Sequence, residues 1–490
     1  MAGPHASDKL EFAGDYNLSN IFIIGYDGKP VDIKKMVQEL NIYEGIYKNA
    51  ITGSVVITDA QNLISKMPLQ GTERIAFKLS TPGAKGEDAI DMSEESGHPM
   101  YIYKLTNRKQ ISEGILLYTL HFCSREMFRN IRTRVSQAYT GPLHQSVVKI
   151  FKDEAYLDSK KILTVEETRN NDTIVVPNMR PLKAIDMIAD KALPSNTKGA
   201  GYLFYETTKG FHFRSFENLL TDNGAKPREP KHAFDYMVQN VPVEAKDKEE
   251  KVIKNLQSVE KYEFINNYDS AAQQALGTYA QNVITHNIYD KTFTVTPFNY
   301  HKKFEKLYHT DSTGIGQDRL RYPIVDLPVD FDEKGVSEYP NSVISLEGTT
   351  QYLHGKDTGA FGIDQALDGD TYATRNAQEN AILAGTRLKL TTKGISWLQA
   401  GDVIWFSMRS IEPNKEKKPG GTLDDKFAGR YIITKLRHRV IKTDYKCVIE
   451  CVKDGVMRHY ETGAYKKFPG KTNKKAQIRT LRGGFSGPHG

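Results

Sequence analysis

Two hydrophobic rhythms alternate along the chain. A period of two, the mark of half-buried strands, runs through Glu73-Arg-Ile-Ala-Phe-Lys-Leu79: Ile75, Phe77 and Leu79 face one way, Arg74, Ala76 and Lys78 the other. Upstream, Gly53-Ser-Val-Val-Ile-Thr58 is β-branched and extended. Between them lie Asp59-Ala-Gln-Asn62, whose Asp and Asn can bond their own backbone in a turn, the link Leu63 to Leu69, and Gln70-Gly71. Strands are also predicted at Ile21–Tyr26, closed by Asp27-Gly28, and at Met100–Leu105 and Gly114–Phe122, joined by a connection over 107–113. Val31–Leu40 fits a short helix or an irregular strand equally well. Residues 1–15 read as a flexible terminus, and 16–125 as a first antiparallel barrel or sandwich.

The rhythm changes at Ser124. Ser124–Ala138 is predicted helical, with Ser124 as N-cap, Met127, Ile131 and Val135 at i, i+4 spacing, and Gly141-Pro142 as the stop. Further helices follow over Leu143–Phe151 and from Pro181 to Ala192, then a hairpin of Gly201–Glu206 and Gly210–Phe216. Residues 126–228 thus form an α+β unit whose end, 221–230, is turn-rich. A strand is expected near Phe234. The poorly periodic stretch 261–379 reads as a loop-rich insertion, with a strand piece at Phe293–Thr296 and a short helix from Asn299.

Period two returns at Arg387–Thr391, Val403–Met408 and the hairpin Gly429–Val440 with Tyr445–Val452. In that hairpin Ile432, Thr434, Leu436 and Val440 are expected on one face and Tyr431, Lys435, Arg437 and Arg439 on the other. Residues 229–260 and 380–457 then make a second barrel, interrupted by 261–379. The fold class is α+β, mostly antiparallel β: two barrel domains, an α+β domain between them, and the insertion.

At 490 residues the chain has room for several domains of roughly 150 residues each. No apolar run approaches the roughly 20 residues that span a bilayer, and the N-terminus has no apolar core of a secretory signal. A cytosolically made protein without membrane anchor is expected. Cys123, Cys447 and Cys451 are too few for a disulfide framework, and the last two read as small buried hydrophobes. The net charge is +7. Beyond Val456, Arg458, Lys466, Lys467, Lys471, Lys474, Lys475, Arg479 and Arg482 face only Glu461, an excess equal to that of the whole chain. A near-neutral body therefore carries a basic arm, 458–490, able to neutralise phosphates or to order against an acidic protein.

Candidate chemistry is sparse. No HExxH, Walker loop or CxxC occurs, and Gly314-Ile-Gly316 lacks the third glycine of a dinucleotide loop. Ser195-Asn-Thr-Lys198 has serine–lysine spacing without its companion motifs. Asp330–Gly335 starts like a calcium loop but places Lys334 at the fifth position and Asn341 at the twelfth. His286, His301 and His309 read as solvent-facing. No catalytic, cofactor-binding or metal-binding residue is assigned, and the chain is expected not to be an enzyme.

Against this background Ile51–Leu79 is specific. Its extended run, Asp59-x-x-Asn62 turn, Leu/Ile link, Gly71-x-Glu73 and alternating strand resemble the N-terminal barrel of the baseplate hub proteins of contractile-tailed phages, the T-even hub type. Gly401-Asp-Val-Ile404 and Gly429–Arg439 resemble the second hub barrel. The long 261–379 insertion and the basic arm depart from that pattern. The resemblance implies two tail-tube-like β-barrels per chain. It also implies a homotrimer forming a pseudo-sixfold ring in the virion baseplate, no cofactor, and a lumen passing the tape measure protein and DNA in transit. Its partners would be the tail tube protein, the central spike protein and baseplate wedge proteins. Arg74 and Lys78 become candidate subunit or tube contacts, and Lys466, Lys467, Lys471, Lys474, Lys475, Arg479 and Arg482 candidate arm contacts. Alternatives are the hub of a related injection machine, or a tail-associated hydrolase with two convergent carboxylates in a cleft.

Overall fold

The computed structural model describes residues 12–455 apart from 68, 83–87, 170, 198, 200, 223, 225, 237–253, 288–290, 305, 312–334, 350–368, 411–422, 425 and 443. The basic arm and its seven candidate contacts lie outside the described residues, as do Gly314-Ile-Gly316 and most of the Asp330 loop.

The first part carries β1 (Asn17–Ile24), β2 (Pro30–Asp32), β3 (Val37–Gly45), β4 (Thr52–Asp59), α1 (Leu63–Lys66), β5 (Arg74–Ser80), β6 (Ile90–Met92), β7 (Met100–Ser112) and β8 (Ile115–Cys123). The middle holds α2 (Arg125–Arg132), β9 (Val135–Pro142), α3 (Leu143–Lys152), β10 (Leu163–Val165), β11 (Asn171–Met179), α4 (Pro181–Ala189), β12 (Tyr202–Thr207), β13 (Gly210–Ser215), α5 (Phe216–Leu220), β14 (Thr221–Asp222) and β15 (Lys226–Pro227). Then come β16 (His232–Tyr236), β17 (Val259–Asn266), β18 (Ala280–Asn287), β19 (Thr292–Asn299), β20 (Ile344–Thr349), β21 (Thr386–Lys393), β22 (Val403–Met408), β23 (Gly429–Ile441) and β24 (Asp444–Lys453).

The mostly antiparallel α+β architecture is as expected, and both barrel-like regions share one sheet. Its path runs β17-β21-β24-β23-β3-β4-β8-β7-β5-β1-β2, with β16 on β22, β22 on β23 and β6 on β5. Neither region closes into a hydrogen-bonded barrel among the described residues. The nearest approach is at β16 and β17, linked by the single bridge Asp235–Ser258 and an edge-on Tyr236–Tyr262 ring pair 4.4 Å apart.

This sheet is built from a duplicated unit. In the first, β3, β4, β8, β7 and β5 are neighbours in that order, all antiparallel. In the second, β17, β21, β24, β23 and β22 repeat both the spatial order and the order along the chain, again all antiparallel. Two of the register irregularities also correspond. The β3–β4 register shifts between Val37 and Glu39 and β17–β21 between Val259 and Lys261. The β7–β8 register shifts between Ile102 and Lys104 and β23–β24 between Ile433 and Lys435. An extra residue at such a bulge bends the strand and re-aims its side chains. The sixth positions differ: β1 runs antiparallel to β5, β16 parallel to β22. Residues 267–385 take the place that a short turn, 46–51, holds between β3 and β4.

The bulge at Thr434 corrects the face assignment in β23. Before it Tyr431 and Ile433 enter the main core; after it Leu436 and Val440 do, while Ile432 joins a second cluster with Tyr205, Leu219 and Val403. One extra residue inverts a period-two pattern.

Other segments also differ from the expected elements. The helix from Ser124 ends at Arg132, and Val135–Pro142 forms β9, paired with β11. Ile131 is exposed, and α2 buries Glu126 and Asn130 instead. Those polar residues are satisfied by distant partners: Ser159 donates to Glu126, and the Leu182 N–H donates to Asn130. Val31–Leu40 resolves into β2, a turn and the start of β3. β7 continues through the supposed connection to Ser112.

In the middle domain α3 and α4 bury Val147, Ile150, Phe151, Ile185 and Ile188 against Phe204, Phe211 and Phe213. The insertion holds more regular structure than its sequence suggests, a β19-β18-β20 sheet. Ala373, Ala377 and Ala381 of helix Gly369–Ala384 meet Val283 and Phe298 there. Alanine at every fourth position lets the helix sit close to the sheet.

Candidate assembly surfaces

β5 puts Ile75, Phe77 and Leu79 into the core and leaves Arg74 and Lys78 partly exposed, as the alternation demands. Both cations are engaged within the chain. Arg74 pairs with Glu94 at 2.6 Å and Lys78 with Asp91 at 3.2 Å. Against the cost of burial, Ser93 and Lys78 hold the Asp91 carboxyl below its usual range. The outer face of β5 therefore presents mixed, locally neutralised charge. The turn before it is set by Asp59, which accepts from the Gln61 and Leu63 N–H groups, and by Glu73, which accepts from Gln70, Gly71 and Thr72. The matched Asp, Asn, Gly and Glu are thus a backbone-shaping set; Asn62 and Gly71 both take positive φ.

Beside this face a cleft of about 330 Å³ opens between β6, β7 and the β12–β13 turn, lined among others by His98, Lys161, Glu206 and Lys209. Lys161 reaches Glu126 at 3.1 Å and Glu206 at 2.5 Å, all three nearly or fully buried. Burial works against its charge, but Glu206 and Glu126 hold the ammonium above the usual lysine range. Glu206 also accepts from the Ile51 N–H, tying the middle domain to the first sheet. Burial pushes the nearby Cys123 thiol up to about 12, so it is not a thiolate at neutral pH. This constellation works as a cross-tie between domains.

A second cross-tie is Glu44, which accepts from Thr208 N–H and Ala400 N–H and so joins β3 to both other parts of the fold. Burial pushes its carboxyl up to about 7, and that of neighbouring Asp402 up to about 6. Between the unfolded glutamate value of about 4.3 and that raised value the folded state binds the extra proton, so stability falls as pH rises through this window. Glu44→Gln is expected to flatten that decline, read as urea midpoints at about pH 5 and about pH 7.5, leaving the part due to Asp402. An unchanged slope would show that Glu44 does not titrate there.

Three groups of residues were not legible as surface or core from the sequence. His309 is fully buried, contrary to its expected solvent position. It bonds Asp454 at 2.8 Å and stacks on Phe304. Asp311 pairs with buried Lys453 at 2.6 Å and accepts from the Arg430 N–H. These contacts anchor the chain just before the arm. Conversely, Phe293, Val295, Ile344 and Leu346 are exposed on the side of the β19-β18-β20 sheet opposite helix Gly369–Ala384, by the registers of that sheet. Alternation at 293 and 295 was visible in the sequence, but not which face another element would cover. Phe211, Phe213 and Phe406 are core residues, and Cys447 and Cys451 are buried as expected.

No family model matches the chain and no curated protein matches it. Among solved structures it is similar to a tail protein of Neisseria meningitidis, at 9% identity and TM-score 0.47, over 90% of this chain and 97% of that one. A 43 kDa tail protein of prophage MuSo2 from Shewanella oneidensis follows at 8% and 0.45, over 89% and 98%. A type VI secretion component of E. coli, described as structurally similar to bacteriophage tail proteins, aligns at 8% and 0.38, over 90% and 76%.

Proposed function

We propose that the chain is a structural hub of a contractile phage tail baseplate. Three copies form a ring of six barrel-like units that joins the tail tube to the central spike and encloses a lumen for the tape measure protein and DNA. The observation that supports this is the duplication: one chain carries the same five-strand order twice, with matching bulges. Three chains then offer six similar units, so threefold symmetry can match a sixfold tube. Wedge proteins would meet the outside, Arg74 and Lys78 the tube or a neighbouring subunit, and the basic arm a nucleic acid or an acidic partner.

The mass of the full chain in native solution, alone and with tube and spike proteins, tests the reading. A trimer that rings in their presence is expected; a strict monomer under all conditions would overturn it. In the same assay Arg74→Glu with Lys78→Glu is expected to weaken ring assembly. The melting behaviour should change little, because partly exposed ion pairs contribute only about 0–1 kcal/mol. Unchanged assembly would move the contact to another face.

A further inference from the structure

The duplicated unit contains an observed junction and two unfilled halves of the same junction. Inside the chain, the far half of β23, after its bulge, keeps β24 on one edge and runs beyond β22 on the other. Lys435–Ile441 pairs antiparallel with Gly45–Glu39 of β3 in the first unit. Ion pairs clasp this seam. Glu39 receives Arg439 at 2.9 Å and Arg437 at 3.1 Å, and Arg437 also donates to Asn41.

β7 is the counterpart of β23, and β17 the counterpart of β3. β7 pairs with β5 only at Met100 and Tyr101, with one further bond from Ile102 N–H to Glu73. It then bulges and runs on to Ser112 with β8 along one edge. Among the described residues no strand pairs with its other edge. Exposed Tyr103 and Ile111 lie along this half. β17 is likewise the terminal strand of the sheet, paired with β21 on one side, with exposed Ile265 near its end.

We propose that the far half of β7 in one copy adds to the outer edge of β17 in the next copy, repeating between chains the β23–β3 seam seen within one. The contact is heterologous, so it propagates from copy to copy until the ring closes. It also covers two strand edges that are unpaired among the described residues and that would otherwise template aggregation. Carrying the β23–β3 register through the matched bulges sets Thr106 opposite Ile265, where β17 has a further register shift against β21 between Phe264 and Asn266. Just beyond, where β7 bulges again around Asn107, Arg108 and Lys109 come beside Glu263. Cations on the reaching strand and an acid on the receiving one repeat the signs of the Arg437, Arg439 and Glu39 clasp but not its positions, since Glu263 takes the place of Asn41 and Lys261 that of Glu39.

This inference rests on the ring reading above, and the test separates the two. Full-length protein carrying Thr106→Cys and Ile265→Cys is oxidised or treated with a short bismaleimide. Arg437→Cys with Tyr43→Cys, the corresponding pair inside one chain, is the positive control and should link without raising the mass. For the first pair, covalent species of two and three chains are expected, and neither single variant should give them. A second measurement uses charge. Glu263→Lys should weaken self-association about tenfold, and Arg108→Glu with Lys109→Glu added to it should restore it. Trimers that form normally but neither cross-link nor respond to the charge swap would overturn this seam and leave the hub reading standing. A chain that stays monomeric would overturn both.

Discussion

Lys161→Met is expected to destabilise the fold by about 3–5 kcal/mol, the usual cost of removing one partner from a buried ion pair. Lys161 stands between Glu126 and Glu206, whose side chains are 2% and 1% exposed. Without the ammonium two carboxylates face each other away from water. Glu126 retains Ser159 and Glu206 retains the Ile51 N–H, which satisfies hydrogen bonding but not charge. The defect should depend on pH. Unpaired and buried, both carboxyls would have folded pKa values above the unfolded value of about 4.3. The variant therefore gains stability as pH falls toward that value and loses it as pH rises. The wild type, in which Lys161 neutralises part of this charge, should show less of that gain. Urea melts of both proteins at about pH 5 and about pH 8 measure the difference. A deficit below about 1 kcal/mol, or one equal at both values, would mean that water reaches the site. Adding Glu206→Gln to the variant should recover part of the loss, because a single carboxylate then remains.

The second large effect lies in the first core. Phe122→Ala is expected to cost about 3–5 kcal/mol. Its ring is fully buried and meets Phe77 edge-on at 5.9 Å. The same ring explains why position 53 is glycine: a Cβ there would come within 2.2 Å of Phe122 Cζ and 2.6 Å of the Asn41 carbonyl oxygen. Gly53→Ala alone should therefore cost about 1–3 kcal/mol through overpacking. Together the two changes should cost less than their sum, since the new methyl enters space the ring has left. The recovery is partial, because the Asn41 carbonyl belongs to the β3 ladder and cannot move as a side chain can. Denaturant midpoints of the four proteins of this cycle give the coupling. Additivity within about 0.5 kcal/mol would refute the shared-space argument.

These two sites differ in how far the sequence revealed them. Ile75, Phe77 and Leu79 could be assigned to a core from alternation alone, because β5 has one face turned from water. The Asp59, Asn62, Gly71 and Glu73 set was equally readable, since the hydrogen bonds that shape its turns span at most four residues, although Asp59 also accepts from the distant Tyr118 hydroxyl. Lys161 could not be singled out. Its partners lie 35 residues back and 45 residues ahead, and nothing local distinguishes it from Lys160, which is largely exposed.

The errors share a cause. Met127, Ile131 and Val135 have helical spacing, yet the helix stops at Arg132 and a ladder to β11 takes Val135 onward. Tyr431 was placed outside because a single inserted residue, Thr434, reverses the phase of β23. His309 was placed in solvent because its acid partner lies 145 positions away. Arg74 and Lys78 were correctly placed on the outward face of β5, but their acids at 94 and 91 follow from how the next loop returns.

The sequence by itself thus determined much of the local layer: where most strands and turns fall, which side of β5 is apolar, and the shaping of the turn before it. Those features depend on residues one to four positions apart. Only the tertiary structure decided which edges meet, where bulges invert a face, and which charges are buried in pairs. It also brought out the duplication, which lies in strand order and register rather than in similar residues. Burial and pairing energies arise between segments far apart in the chain, and a one-dimensional pattern carries no record of which distant partner fills each place.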